Sequence, residues 1–196
     1  MILSCKQSEN RQLPIYNPTD FNPELVDKSL HDTKYHTVSD FNLMNQNGKI
    51  ITQNDYKDKI YVADFFFTRC KTICPVMTDN IVKLQEEFLN EDDIMFLSLS
   101  VTPEIDSITV LREYADAKGV IDIKWNVTTG DKRHIYELAR KSYFAVVEQG
   151  DGGLQDYIHT PKFVLVDKKK QIRGFYDGTN ENEIKRLIND IRILHN

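Results

Sequence analysis

Residues 65–81 read FFFTRCKTICPVMTDNI, and the job of the two cysteines in this stretch decides how the chain is understood. Upstream, Lys59 to Phe67 (KIYVADFFF) is a nearly unbroken apolar run of β-formers, which suits a central strand buried on both faces. Downstream, Met77, Ile81, Leu84 and Phe88 recur on one helical stripe. Pro75 is favoured at the first position of a helix, where its missing N–H costs nothing. The strand is thus expected to end near Phe67 and the helix to begin at Cys74 or Pro75. Both sulfurs then lie in or beside the first helical turn, where free amides and the positive end of the helix dipole favour thiolate. Arg69 and Lys71 add positive charge. Cys70 and Cys74 are therefore both expected to be acidic thiols.

Three residues separate them, Lys71, Thr72 and Ile73. That spacing permits a disulfide if the loop geometry allows closure, and it leaves room for an ion between the sulfurs. Soft thiolates select Cu(I) and zinc. Two of them leave an ion open, so a metal reading needs a third ligand from elsewhere. The pair is not a staple of the fold, because so small a loop removes little entropy from the unfolded chain. The third cysteine, Cys5, makes the count odd.

The remaining chain supplies the frame. Asn47-Gly48, set between Val38, Phe41 and Leu43 on one side and Ile50 and Ile51 on the other, is a hairpin signal. Ile94 to Val101 (IMFLSLSV) reads as a second buried strand, stopped by Thr102-Pro103. Ile108, Leu111 and Ala115 mark a second helix ending near Gly119. Lys124 to Thr128 is a short strand, and Asp131 to Phe144 carries Ile135, Leu138 and Ala139 on one face of a third helix. A Gly-rich acidic loop, Glu148 to Tyr157, precedes strands at Phe163 to Val166 and Gln171 to Tyr176, joined by a solvated turn, Asp167 to Lys170. Asn180 and Glu183 have the N-cap and N3 spacing of a last helix, 180–194. Hairpin, β-α-β-α-β-α, then β-β-α is the order of an α/β thioredoxin-like fold. The expected architecture is a central mixed β-sheet flanked by helices, with an N-terminal β-hairpin extension and one inserted element.

A net charge of -5 spread along the chain declares no basic face, so nucleic acid is not the expected partner. No stretch approaches the roughly 20 apolar residues that span a bilayer. Residues 1–35 are expected to form a tether and 36–196 the domain. Within the tether, Ile2-Leu3-Ser4-Cys5 resembles the lipobox of bacterial lipoproteins, which would place a lipid on Cys5 and hold the domain at a membrane surface.

Of the five histidines, His31 and His36 lie in or beside the tether, His134 on the third helix and His195 at the terminus. His159 stands apart. It ends the Gly-rich loop in DYIHTPKFVLVD, and in thioredoxin-like topology the loop before this strand faces the amino end of the cysteine helix. Thioredoxin relatives carry a cis-proline there, so a cis Thr160–Pro161 bond is expected. Met77, Met44, Met95 and Trp125 read as core.

Taken together, DFFFTRCKTICPVMT and YIHTPKFVLVDKKKQIRGFYDG resemble the Sco/SenC copper-delivery proteins over residues 36–194. The resemblance implies a thioredoxin-like fold, copper as Cu(I) or Cu(II) held by Cys70, Cys74 and His159, and a part in assembling the dinuclear copper centre of cytochrome c oxidase. The implied partner is the copper-bearing oxidase subunit or another copper carrier. The implied place is the bacterial cell envelope, on the periplasmic face of the inner membrane. Lys71 stands where many members have proline, and Ile158 where many have aspartate, which leaves Asp156 as the candidate hydrogen-bond partner of the His159 ring. A thiol-disulfide oxidoreductase using the same two cysteines without metal is the alternative. A peroxidase is disfavoured, because Thr68-Arg69-Cys70 is one residue short of the Thr-x-x-Cys approach to a peroxidatic cysteine.

Overall fold

The computed structural model describes residues 12–20, 36–146, 153 and 156–196. Cys5, His31 and most of the Gly-rich loop lie outside them. Seven strands form one mixed sheet: β1 (Asn42–Asn45), β2 (Ile50–Thr52), β3 (Ile60–Phe66), β4 (Ile94–Ser100), β5 (Trp125–Thr129), β6 (Lys162–Val166) and β7 (Ile172–Asp177). Their spatial order is β2-β1-β5-β4-β3-β6-β7. β3, β4 and β5 run parallel, and β1, β6 and β7 pair antiparallel to their neighbours. The Asn47-Gly48 turn closes the β1–β2 hairpin with Gly48 at φ 71°, a left-handed conformation that glycine adopts without strain.

Every residue of β3 is buried. Its alternation divides the core: Tyr61, Ala63 and Phe65 enter one apolar cluster, and Ile60, Val62 and Phe66 the other. The first cluster is covered by α3 (Lys132–Glu137) and residues of the hairpin. The second is covered by α1 (Ile73–Glu87), α2 (Ile108–Lys118) and α4 (Glu181–His195). The stripe Met77, Ile81, Leu84 and Phe88 is wholly buried there, and each such side chain contributes about 1.5–3 kcal/mol of burial free energy. The chain has the thioredoxin-like architecture expected from its element order, with α2 and β5 as the inserted element.

Four local expectations are corrected. α1 begins at Ile73, so Pro75 is its third residue; its missing N–H is still one of the four that a helix start leaves unpaired. The third helix is regular only to Glu137 and then opens into a π turn, Leu138–Ser142, in which the Tyr143 amide reaches back to the Leu138 carbonyl. Ile108 is exposed in the first turn of α2, whereas Leu111 and Ala115 face the core. Asp167 is buried rather than solvated: its carboxylate pairs with Arg173 at 2.7 Å and accepts the Lys169 and Gln171 amides, shaping the turn where Lys170 adopts φ 62°.

The peptide bond between Thr160 and Pro161 is trans. Trans is the lower-energy isomer by about 0.5–1 kcal/mol before proline. The Thr160 hydroxyl donates to the Ala145 carbonyl at 3.1 Å, and the Pro161 carbonyl accepts the Gly178 amide at 2.7 Å. Gly178 is required at that approach, since a Cβ there would stand 2.7 Å from the Phe163 ring.

Candidate functional site

Cys70 and Cys74 are free thiols at the carboxyl end of β3 and the start of α1. The N-cap residue Thr72 offers no side-chain bond to the helix start. The sulfur of Cys70 fills that role instead, accepting the Cys74 amide at 3.4 Å with the Thr72 hydroxyl 3.5 Å away.

The two thiols differ sharply, and the expectation that both are acidic fails for one. Partial burial pushes Cys70 up, but hydrogen bonds from the Thr72 hydroxyl, the Cys74 thiol and the Cys74 and Thr72 amides outweigh it and bring its pKa down to about 6. Arg69 and Lys71 are exposed, and the lowering comes from these hydrogen bonds. Cys74 is only 3% exposed. Burial, reinforced by Cys70 and by the charge of Asp64, pushes it up to about 12. Asp64 is itself buried beneath the pair. Loss of water raises its pKa to about 7 against a 2.5 Å hydrogen bond from the Ser98 hydroxyl, which also accepts the Trp125 indole N–H. Thus Cys70 is the nucleophilic sulfur at neutral pH and Cys74 the protonated one. Alkylation of the metal-free, reduced protein by iodoacetamide is expected to label Cys70 first, with a rate that rises to half its plateau near pH 6. Mass-mapped kinetics between pH 4 and 9 check this.

His159 approaches from 89 residues away, its Nε2 4.0 Å from Cys70 Sγ. With metal–sulfur bonds of about 2.3 Å and metal–nitrogen bonds of about 2.0–2.1 Å for a first-row ion such as zinc, the 4.0 Å span is within reach of a single shared ion. The donor set, two sulfurs and an imidazole, suits a soft ion such as Cu(I). Among the described residues no group of three His, Cys, Asp or Glu side chains is already set to hold an ion. The His159 ring sits beside Phe67, at 6.0 Å between centroids, and stacks at 6.3 Å on Tyr157, itself packed edge-on to Phe67 at 5.3 Å.

The other described histidines are elsewhere. His36 is buried and bonded through Nε2 to the Ser142 carbonyl at 2.7 Å, His134 lies 3.5 Å from the Asn42 amide, and His195 pairs with Asp93 at 3.1 Å. Met77 and Trp125 are core, as expected, and Met44 and Met95 are partly buried.

Two supports of the site have no local signature in the sequence. Asp106, fully buried after β4, accepts hydrogen bonds from the Thr68, Ser100 and Thr102 hydroxyls at 2.6, 2.5 and 3.0 Å, tying the loop before Cys70 to the next strand. Arg140, on the π turn, makes a two-pronged pair with Asp156 at 2.6 Å for each prong. The Tyr136 hydroxyl lies between the Val101 and Asp156 carbonyls at 3.0 and 3.1 Å and accepts the Ile158 amide at 3.4 Å. These bonds anchor the segment that carries His159. They also commit the Asp156 carboxylate to Arg140.

The chain is similar to known proteins over most of its length. The SCO1/SenC family model matches residues 30–195. A SCO1/SenC family lipoprotein from Bacillus anthracis is 31% identical with a TM-score of 0.72, the match covering 82% of this chain and 96% of that one. BsSco, a member of the Sco family of cytochrome c oxidase assembly proteins in which a disulfide switch was identified, is 32% identical with a TM-score of 0.69, over 83% of this chain and 95% of that one. The copper-bound ScoI of Bradyrhizobium japonicum shares the fold, with a TM-score of 0.60 at 21% identity over 81% of this chain and 99% of that one. The chain carrying this cysteine pair and its distant imidazole belongs to the SCO1/SenC family.

Proposed function

We propose that this protein carries copper for the assembly of cytochrome c oxidase, holding the ion with Cys70, Cys74 and His159. The observation that carries this reading is the 4.0 Å approach of the His159 imidazole to the Cys70 sulfur. A pair used only for dithiol exchange has no need of an imidazole from another part of the chain. Copper is the cargo: Cu(I) takes two thiolates and one imidazole, and Cu(II) takes the same residues with one further oxygen or nitrogen donor. Oxidation of both cysteines to a disulfide removes both thiolate ligands, so copper loading is coupled to the redox state of the pair. Transfer proceeds by ligand exchange with the copper-bearing oxidase subunit or another copper carrier. The Ile2-Leu3-Ser4-Cys5 box supports a lipid anchor that keeps the domain in the bacterial envelope, on the periplasmic face of the inner membrane.

The test is an anaerobic Cu(I) titration of the reduced protein against a competing chelator. One tightly held equivalent is expected, none in the oxidised protein, and a smaller loss of affinity, about 10–100-fold, in His159→Ala, since both soft sulfur ligands remain. Parent-like affinity in that variant would remove His159 from the site. The second reading, a thiol-disulfide oxidoreductase, is favoured by the asymmetry of the pair, with Cys70 at about 6 as the attacking thiolate and Cys74 at about 12 as the resolving thiol. Disulfide exchange with a small dithiol survives in His159→Ala under either reading, whereas a tightly held copper equivalent in the parent is expected only under the first.

A further inference from the structure

A metal-bound imidazole ordinarily donates its other ring N–H to a carboxylate, a carbonyl or water, which fixes the ring and raises its basicity. Among the described residues that partner is missing. The residue directly before His159 is Ile158, apolar and 3% exposed, and the Asp156 carboxylate is held by Arg140. With Nε2 turned toward Cys70, Nδ1 is turned away from the sulfur, and among the described residues it has no hydrogen-bond partner.

A cleft of about 180 Å³ adjoins His159. His159, Arg140, Lys162, Thr160 and Val146 line it, and neither cysteine does. The Arg140 charge is balanced by Asp156. The Lys162 charge is not: its ammonium lies 5.8 Å above the Phe175 ring, half-buried, and no carboxylate of the described residues pairs with it. Desolvation alone acts on it, lowering its pKa. The cleft therefore carries one uncompensated positive charge and one ring nitrogen, Nδ1 of His159, that no described residue engages. At roughly 30 Å³ per water, it holds several waters or one small organic anion.

We propose that this cleft binds a small carboxylate, held by Lys162 and placed to accept the Nδ1–H that His159 carries once Nε2 is on the metal, as the outer partner that the described residues do not supply. A carboxylate has two oxygens and can serve both donors at once. A dianion such as phosphate would leave net negative charge beside the Cys70 thiolate and is disfavoured. The carboxylate comes either as a free small acid or as an aspartate or glutamate side chain presented by the copper-exchange partner. The inference deepens the copper reading, because it names the second neighbour of the proposed ligand His159. It is tested on metal-free protein, so its failure and the failure of copper binding are separate results.

The experiment is an NMR titration of the reduced, metal-free protein with sodium acetate, sodium chloride and N-acetylglutamic acid α-amide at constant ionic strength. It follows the His159 ring and the amides of 157–163. Saturable shifts with a carboxylate, at a Kd of about a few millimolar as befits so few atoms, are expected. Chloride should give weaker shifts. Lys162→Met should raise the Kd at least tenfold and Lys162→Arg should restore it. Tighter binding of acetate identifies a free acid as the ligand, and tighter binding of the glutamate derivative identifies a protein side chain; either supports the site. Shifts that never saturate, or a Lys162→Met variant that binds carboxylate like the parent, would overturn it.

Discussion

Cys70→Ser is expected to lower Cu(I) affinity by roughly a hundred- to a thousand-fold while leaving the fold intact. Four-ligand thiolate sites for zinc gather about 10–16 kcal/mol, so one ligand is worth about 3–4 kcal/mol, or two to three powers of ten. An alcohol is also a hard donor that does not ionise at neutral pH, and Cu(I) prefers soft sulfur. The serine oxygen can still accept the Cys74 amide that Cys70 Sγ accepts now, so stability should change by no more than about 1 kcal/mol. Proton release separates ligand loss from a general disturbance. In the parent, Cys74 is protonated up to about pH 12 and Cys70 only below about pH 6. The two cysteines therefore release one proton between those values and two below the lower one. On passing below about pH 6 the parent affinity should thus steepen by a further factor of about ten per pH unit that comes from Cys70. The variant should lack that further step. An affinity within threefold of the parent would remove Cys70 from the metal site.

What the chain discloses before folding is what depends on periodicity. The β3 run and the Met77, Ile81, Leu84 and Phe88 stripe were legible because each residue's burial follows from its own apolarity and its phase. The His159 approach was legible only through the order of elements, since no local pattern links residues 89 positions apart. Depth was not legible. Cys70 and Cys74 look equivalent in the sequence, and their opposite pKa shifts arise because one lies at the rim among hydrogen-bond donors while the other lies under the helix beside Asp64. The π turn escaped for a related reason. Leu138 and Ala139 keep helical spacing, and the widened turn carries Arg140, whose partner Asp156 lies 16 residues on. Asp167 was misread because a charged turn residue is usually solvated, and the Arg173 that buries it sits on the neighbouring strand.

Asp106 belongs to the same class of hidden residue, and its removal is expected to have the largest effect on stability. Its carboxylate is fully buried and takes three hydroxyl donors and, at 3.3 Å, the Thr68 amide. A buried donor left unpaired costs about 1–3 kcal/mol, and a truncated side chain gives the Thr68, Ser100 and Thr102 groups nothing to replace the lost acceptor. Water entering the gap restores part of this, so Asp106→Ala should destabilise the domain by about 4 kcal/mol, in the tail of single-substitution effects. At about 2–4 °C per kcal/mol for a chain of this size, the midpoint should fall by about 8–16 °C. Asp106→Asn keeps one acceptor oxygen and the shape, and should cost about half as much. The loss also reaches the metal site. Thr68 lies two residues before Cys70, and freeing it loosens the loop that sets the Cys70 sulfur against His159. Copper affinity should fall about tenfold in Asp106→Ala under conditions where the variant is still folded. Thr68→Val, which removes only the 2.6 Å hydroxyl link, should show the affinity loss with a smaller stability cost. Urea titrations of all three variants, read at constant m, together with the chelator competition, measure both effects. If Asp106→Ala unfolds within 1 kcal/mol of the parent, the carboxylate does not hold the two strand ends together, and the rigidity of the Cys70 loop must come from α1 alone.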